Sequence, residues 1–254
     1  MRKKQLCKIC IRLVFTINKK MLQIILFSGF AGATIFIGAL LANFFDHHIK
    51  DTPVKKIFIH SFMALGGGII LSALALVLVP KGMEELDVIP LSIHFGLGVI
   101  AFFFLDRYLA LKGGKMGTLL AMLMDYIPES IVLGAVFVSD AQTAMLLAVF
   151  IGLQNLPEAF NSFRDVVLSG FNVKTALITF FVFSFLGILA ALAGFFLLSD
   201  SPKITAQIMI FASGGILYLT FQDIIPDSKL ENSYAVSIAG TIGFLIGIIG
   251  EKVI

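Results

Sequence analysis

The sequence predicts an all-α, polytopic membrane protein built as a bundle of eight transmembrane helices. Two observations carry this. Of 254 residues, 58% are hydrophobic and only 14% are charged, against about 25% charged in a soluble domain. The apolar residues also fall into eight runs of roughly 20 or more, the length that crosses a bilayer core as a helix. Soluble-enzyme and nucleic-acid-binding classes are excluded at this point. The net charge of +3 comes from Lys and Arg at the ends of apolar runs, where membrane topology accounts for them.

The runs lie at roughly 21–44, 57–80, 90–111, 116–138, 142–165, 173–198, 204–226 and 234–252. The first begins after a basic extension, residues 1–20, that carries Arg2, Lys3, Lys4, Lys8, Arg12, Lys19 and Lys20. Arg12 interrupts its apolar portion, which makes a poor signal peptide. The extension is expected to be a basic interfacial tail, or Met21 to be the true start. Cys7 and Cys10 form a single Cys-x-x-Cys in it, too few ligands for a structural zinc site. Gly66-Gly67-Gly68 in the second run, Gly96-x-Gly98 in the third, Gly214-Gly215 in the seventh and Gly243-x3-Gly247 in the eighth suit close helix packing. Links are short, so residues 21–254 form one domain. The longest link, about Phe45 to Lys56, carries Asp46, His47 and His48, which could collect metal. His60 and His94 open the second and third spans and are read as packing residues. Asp106 and Arg107 end the third span and are read as an ion pair.

Basic residues orient the bundle. Links after odd-numbered spans hold Lys50, Lys55, Lys56, Arg107, Lys112, Lys115, Arg164, Lys174 and Lys229; the even links and the C-terminus hold Lys81, Lys203 and Lys252. Nine against three places the odd links in the cytoplasm and both ends of the eight-helix unit outside a cell membrane. The seven basic residues of the extension run against this orientation.

The fourth and fifth spans contain matching segments, Asp125-Tyr-Ile-Pro-Glu129 and Gln154-Asn-Leu-Pro-Glu158. A spacing of four puts both oxygen-bearing side chains on one helical face. Pro128 and Pro157 leave the carbonyls of Met124 and Leu153 without helical partners. Three carboxylates in an apolar setting repel one another and lose hydration, so without a cation they take up protons; a divalent cation resolves the conflict. Asp125, Glu129, Gln154 and Glu158 are the expected metal ligands, with Asn155 a further amide oxygen. Polar groups inside a membrane usually mark an ion path. Asp223 and Asp227 flank Pro226 at the end of the seventh span and are candidate members of that path, which Pro128 and Pro157 would shape.

With these residues in view, residues 21–254 resemble ZIP (Zrt/Irt-like) divalent metal transporters. That family carries approximately His-Asn-x-Pro-Glu in spans four and five, and a Gly-Gly-x-x-Tyr … acid-x-x-Pro-acid segment matched here by Gly214 to Asp227. The resemblance implies transport of a divalent metal as substrate, no cofactor, and a homodimer in the bilayer. It implies that spans one, four, five and six move against spans two, three, seven and eight. It also implies a two-metal site. The first subsite maps to Asp125, Glu129, Gln154 and Glu158. The second maps to Tyr126, Glu129, Asn155 and Glu158, with Ser184 standing near the position of an acid in span six. Tyr126 replaces a small amide there, so a single metal is expected. Asp125 replaces the usual histidine, which hardens the site toward manganese, ferrous iron or magnesium relative to zinc. The family's His-rich link is replaced by Lys112-Gly-Gly-Lys115. Two alternatives remain: a metal-dependent lipid-pyrophosphate phosphatase within the membrane, and a metal-binding membrane protein that does not transport. No arginine sits mid-span to hold a phosphate, so no enzyme is expected.

Overall fold

The computed structural model describes residues 2–112, 117–231 and 233–253, with side chains left undescribed for residues 2–18, Lys112 and Thr118. The expectations for Cys7, Cys10 and the 113–116 stretch of the third link therefore lie outside what is described. Among the described residues every regular element is helical. Eight helices are long and apolar enough to cross a membrane.

They are α1 (Arg2–His48), α2 (Pro53–Glu85), α3 (Val88–Lys112), α4 (Gly117–Val136), α5 (Ala141–Leu168), α6 (Val173–Leu198), α7 (Pro202–Ser228) and α8 (Ala235–Val253). The starts follow from local chemistry. Thr52 accepts from the Lys55 amide at 3.1 Å, with Pro53 in the first turn of α2. Asp140 caps α5 through the Thr143 amide at 3.0 Å. Asn172 caps α6 through the Lys174 amide at 2.8 Å. Each side-chain oxygen satisfies an amide that the first turn leaves without a partner.

Three features differ from the expected spans. The backbone of α1 is one helix from Arg2 to His48, so Asp46, His47 and His48 lie in its last turn and the first link is shorter than expected. α6 breaks at Ser184-Phe185, between Val173–Phe183 and Leu186–Leu198. α2 and α7 each contain one wide π turn, at Leu74–Leu78 and Thr220–Ile224. Such turns often sit at functional sites.

α4 and α5 are the central pair, each 67% buried across its apolar window, whereas α3 is 11% and α8 17% buried. The outer helices thus present their apolar faces outward, as a lipid-embedded bundle requires. The most extensive contacts join α1 with α5, α4 with α6, α2 with α8 and α3 with α7. α5 also leans on α2, and α4 on α7. Glycine permits the closest approaches. A Cβ on Gly66 would strike Pro157 of α5, one on Gly67 would strike Ile224 of α7, and one on Gly68 would strike the Gly240 carbonyl of α8. The glycine triplet therefore lets α2 lie against three neighbours at once. Gly98 and Gly214 do the same between α3 and α7, but Gly96 faces open space.

Candidate metal site

α4 and α5 run antiparallel, so their matching segments pair crosswise. Gln154 Nε2 donates to Glu129 Oε2 at 2.5 Å. Asp125 and Glu158 form the second couple, lining one cavity together, with Asp125 Oδ1 accepting from the Tyr126 amide at 2.8 Å. Asp125, Glu129, Gln154 and Asn155 are 3%, 2%, 0% and 0% exposed. All four expected ligands are thus brought together. Burial of this kind is costly for groups that lack partners.

Partners are short. Among the described residues, buried side-chain oxygens without a hydrogen bond include Gln154 Oε1, Asn155 Oδ1 and Glu158 Oε2. These three acceptors come from five consecutive residues of α5. Native interiors seldom leave such atoms unpaired, and a cation is one ligand that satisfies several acceptors at once. No three His, Cys, Asp or Glu side chains among the described residues stand as a ready ligand set. Glu129 is engaged by Gln154 and Asp125 by the Tyr126 amide.

Asn155 Nδ2 donates to the Ala31 carbonyl of α1 at 3.2 Å, which fixes its amide and leaves Oδ1 free. Ser184 stands elsewhere in the arrangement. Its hydroxyl donates to the Phe181 carbonyl at 2.6 Å, and its own carbonyl accepts from the Tyr126 hydroxyl at 3.4 Å. Tyr126 is fully buried, and its ring end fills the space that a Cβ on Gly187 or Gly32 would need. The phenol thus plugs the break in α6 beside the couples.

A cavity of about 360 Å³ leads away from the second couple. Six of its lining residues are acidic: Asp106, Asp125, Glu158, Asp165, Asp223 and Asp227. None of its lining residues is basic. It runs along α4 from Asp125 to Gly117 and along α5 from Glu158 to Asp165, a span of about 10 Å at the helical rise. It therefore reaches toward the face that carries the odd links. The π turn in α7 sets Asp223 into this wall. Pro157 lines the cavity too, but Pro128 does not. On the opposite side the α4–α5 contact is apolar, with Leu133, Val136, Phe137 and Leu147 buried and Phe27 of α1 against Phe137, ring centroids 5.8 Å apart.

Several expectations need correction. Asp106 does not serve Arg107; it accepts from the Tyr218 hydroxyl at 2.9 Å and lines the cavity. Consecutive helical residues do not face each other. Asp46 is taken by Lys55 at 3.1 Å and Arg164 at 2.8 Å. His47 and His48 bond the carbonyls of Asn43 and Phe44 through Nδ1. The reading of His60 and His94 as packing residues needs no change: His60 Nδ1 bonds the Asp227 carbonyl at 3.0 Å, and His94 Nδ1 bonds the Pro90 carbonyl. Asn161 and Asp165 were missed altogether. They follow Glu158 at three and seven residues, a helical-face spacing that extends the motif down α5.

Outside the membrane-spanning segments, Asp140 binds Lys81 of α2 at 3.0 Å and the Thr143 hydroxyl at 2.6 Å. Partial burial pushes the Asp140 carboxyl up, but Thr143 and Lys81 outweigh it and hold it down at about 2.

The family model described as "ZIP Zinc transporter" matches residues 108–251. The match begins near the end of α3 and takes in α4 to α8, more than half of the chain. No curated protein matches the chain.

Proposed function

From a chain that belongs to the ZIP zinc transporter family, and so is a metal transporter of the membrane, we propose that a divalent cation crosses by way of α4 and α5, moving toward the cytoplasm. Asp125, Glu129, Gln154 and Glu158 are the ligands. Asn155 supplies a further oxygen, and the acidic cavity is the inner limb of the path. The observation that carries this reading is the run of three buried, unpaired oxygens on α5 beside a crosswise set of carboxylates. Arrival of the ion draws the Gln154 amide away from Glu129, and a proton carried by the carboxyl groups of Asp125, Glu129 and Glu158 leaves through the cavity, so binding and proton loss go together.

Asp223 and Asp227, with Asp106 and Asp165, attract the ion from the site toward the inner face. Oxygen ligands and the lack of imidazole favour manganese or ferrous iron over zinc. Tyr126 fills the space against Gly32, Gly187 and the Ser184 carbonyl, where the family resemblance would put a second subsite, so one ion is held at a time. Inward transport rests on the distribution of Lys and Arg, which puts the cavity mouth in the cytoplasm of the cell. A homodimer rests on the family resemblance alone. An acidic lining repels phosphate esters, which speaks against the phosphatase reading.

Metal accumulation in cells or proteoliposomes tests the proposal. Glu129→Ala and Glu158→Ala are each expected to abolish accumulation while the protein still reaches the membrane. Parental accumulation in both variants would put the site elsewhere.

A further inference from the structure

Asp46 sits in the last turn of α1 and holds two cations at once. Its Oδ1 takes Lys55 Nζ of α2 at 3.1 Å, and its Oδ2 takes Arg164 Nε of α5 at 2.8 Å. The two cations differ in what else restrains them. Lys55 also binds Asp51 at 3.0 Å and the Ile49 carbonyl at 3.0 Å. Among the described residues, Arg164 is otherwise steadied by the Phe160 ring, 5.9 Å from its guanidinium carbon. Arg164 is three residues beyond Asn161, so both share one face of α5. Asn161 lines the acidic cavity and donates to Asp165 Oδ2 at 3.3 Å. Arg164 stands between Asn161 and Asp165 in sequence, and both of these line the cavity, so a guanidinium released from Asp46 starts at the cavity rim. It would be drawn inward by carboxylates that face no basic lining residue.

We propose that Asp46 is a positioning residue for transport: it keeps Arg164 out of the acidic cavity, so that the inner limb stays open to a divalent cation. The proposal rests on the reading of that cavity as the metal path. Neutralising Asp46 frees Arg164 but leaves Lys55 tied to Asp51 and Ile49. The guanidinium then turns toward the carboxylates across the cavity mouth and repels the ion there.

The test is manganese flux through the full-length protein in proteoliposomes, normalised to folded protein. Asp46→Asn is expected to slow flux about threefold or more, as a displaced charge near the path would. Asp46→Asn with Arg164→Gln is expected to return to the rate of Arg164→Gln alone, whereas Asp46→Asn with Lys55→Met stays slow. Deleting Arg164 would also relieve a purely structural defect, since an unpaired part-buried charge is what destabilises; normalisation to folded protein removes that contribution, and the labelling ratio below reports the position of the charge itself. Parental flux in Asp46→Asn, or a double Asp46→Asn, Arg164→Gln variant as slow as the single, overturns the proposal. A second readout uses Ser162→Cys, at a cavity-lining position that leaves every carboxylate in place, with Cys7 and Cys10 replaced by serine. Asp46→Asn, or Asp46→Ser if the amide does not fold, should speed labelling by an anionic thiol reagent relative to a neutral one. An unchanged ratio also overturns it. Glu129→Ala and Asp165→Asn serve as separate controls. If both transport at the parental rate the path reading falls; if both are impaired while Asp46→Asn is not, only the role of Asp46 falls.

Discussion

The two couples of the site use the same side-chain types in the same sequence frame and end in opposite surroundings. Glu129 and Gln154 are sealed among packed helices, and a single hydrogen bond satisfies one oxygen of the acid. Asp125 and Glu158 open onto the acidic cavity, and Glu158 keeps Oε2 unpaired. The difference follows from antiparallel pairing. Because α4 and α5 run in opposite directions, the first member of one segment stands level with the second member of the other. One couple therefore lies nearer the odd-link face and one nearer the apolar seal at Phe137. An internal likeness in sequence thus produces a site with a wet end and a dry end.

The largest expected effect tests whether both ends matter. Glu129→Ala and Glu158→Ala should each reduce manganese flux by about 100-fold, as loss of a direct ligand exceeds the effect of losing a supporting residue. If Glu129→Ala alone retained flux, the dry couple would be scaffolding and the ion would sit on Asp125 and Glu158 only. Next comes accessibility. In a background without Cys7 and Cys10, cysteines at Asp125 and Glu158 should react with a water-soluble thiol reagent at least about tenfold faster than cysteines at Glu129 and Gln154, since only exposed thiolates react readily. The reagent should act from the odd-link face. Equal rates at all four positions would abolish the distinction between the ends.

A smaller effect sharpens the dry end. Gln154→Met removes the donor to Glu129 while nearly preserving volume, and should lower stability by about 1–3 kcal/mol, the cost of a buried acceptor left without its donor. Melting of the detergent-solubilised protein would report it, and an unchanged midpoint would mean that Glu129 finds another partner. The smallest effect lies outside the bilayer, at Asp140. Its folded pKa of about 2 is below an ordinary aspartate value of about 3.9. Its contribution to stability is therefore complete above about pH 4 and is lost as the pH falls through about 2. The acid limb of the melting curve should flatten in Asp140→Asn. An identical acid limb in that variant would assign it to other carboxylates.

The spans were legible because each must cover a hydrocarbon core without help from its neighbours, and that demand writes a long apolar run. The crosswise couples were legible because four-residue spacing and proline survive in one dimension. The break in α6 was not. Ser184 and Phe185 sit inside an unbroken apolar run, and the break is held by Tyr126 from another helix. The cavity wall was half legible. Asp223 and Asp227 announce themselves around a proline, but Asp106 was read with its sequence neighbour, when its partner Tyr218 is on another helix. Asp165 is masked in the same way by Arg164. Its role emerges only when Arg164 is seen to be held by Asp46, across 118 residues of chain. Charge pairs read along the chain mislead wherever the helix turns neighbours apart.

Asp140 joins two tasks on one carboxylate. Oδ1 receives the Thr143 amide that begins α5, while Oδ2 meets both Thr143 Oγ1 and Lys81. The bond across to α2 can let go while the first turn of α5 stays capped. Parting the two helices at this end thus requires no unravelling of either. It becomes a matter of one ammonium trading a carboxylate for water, an exchange on the nanosecond scale of exposed side chains, so any slow step in the transport cycle must be sought deeper in the protein.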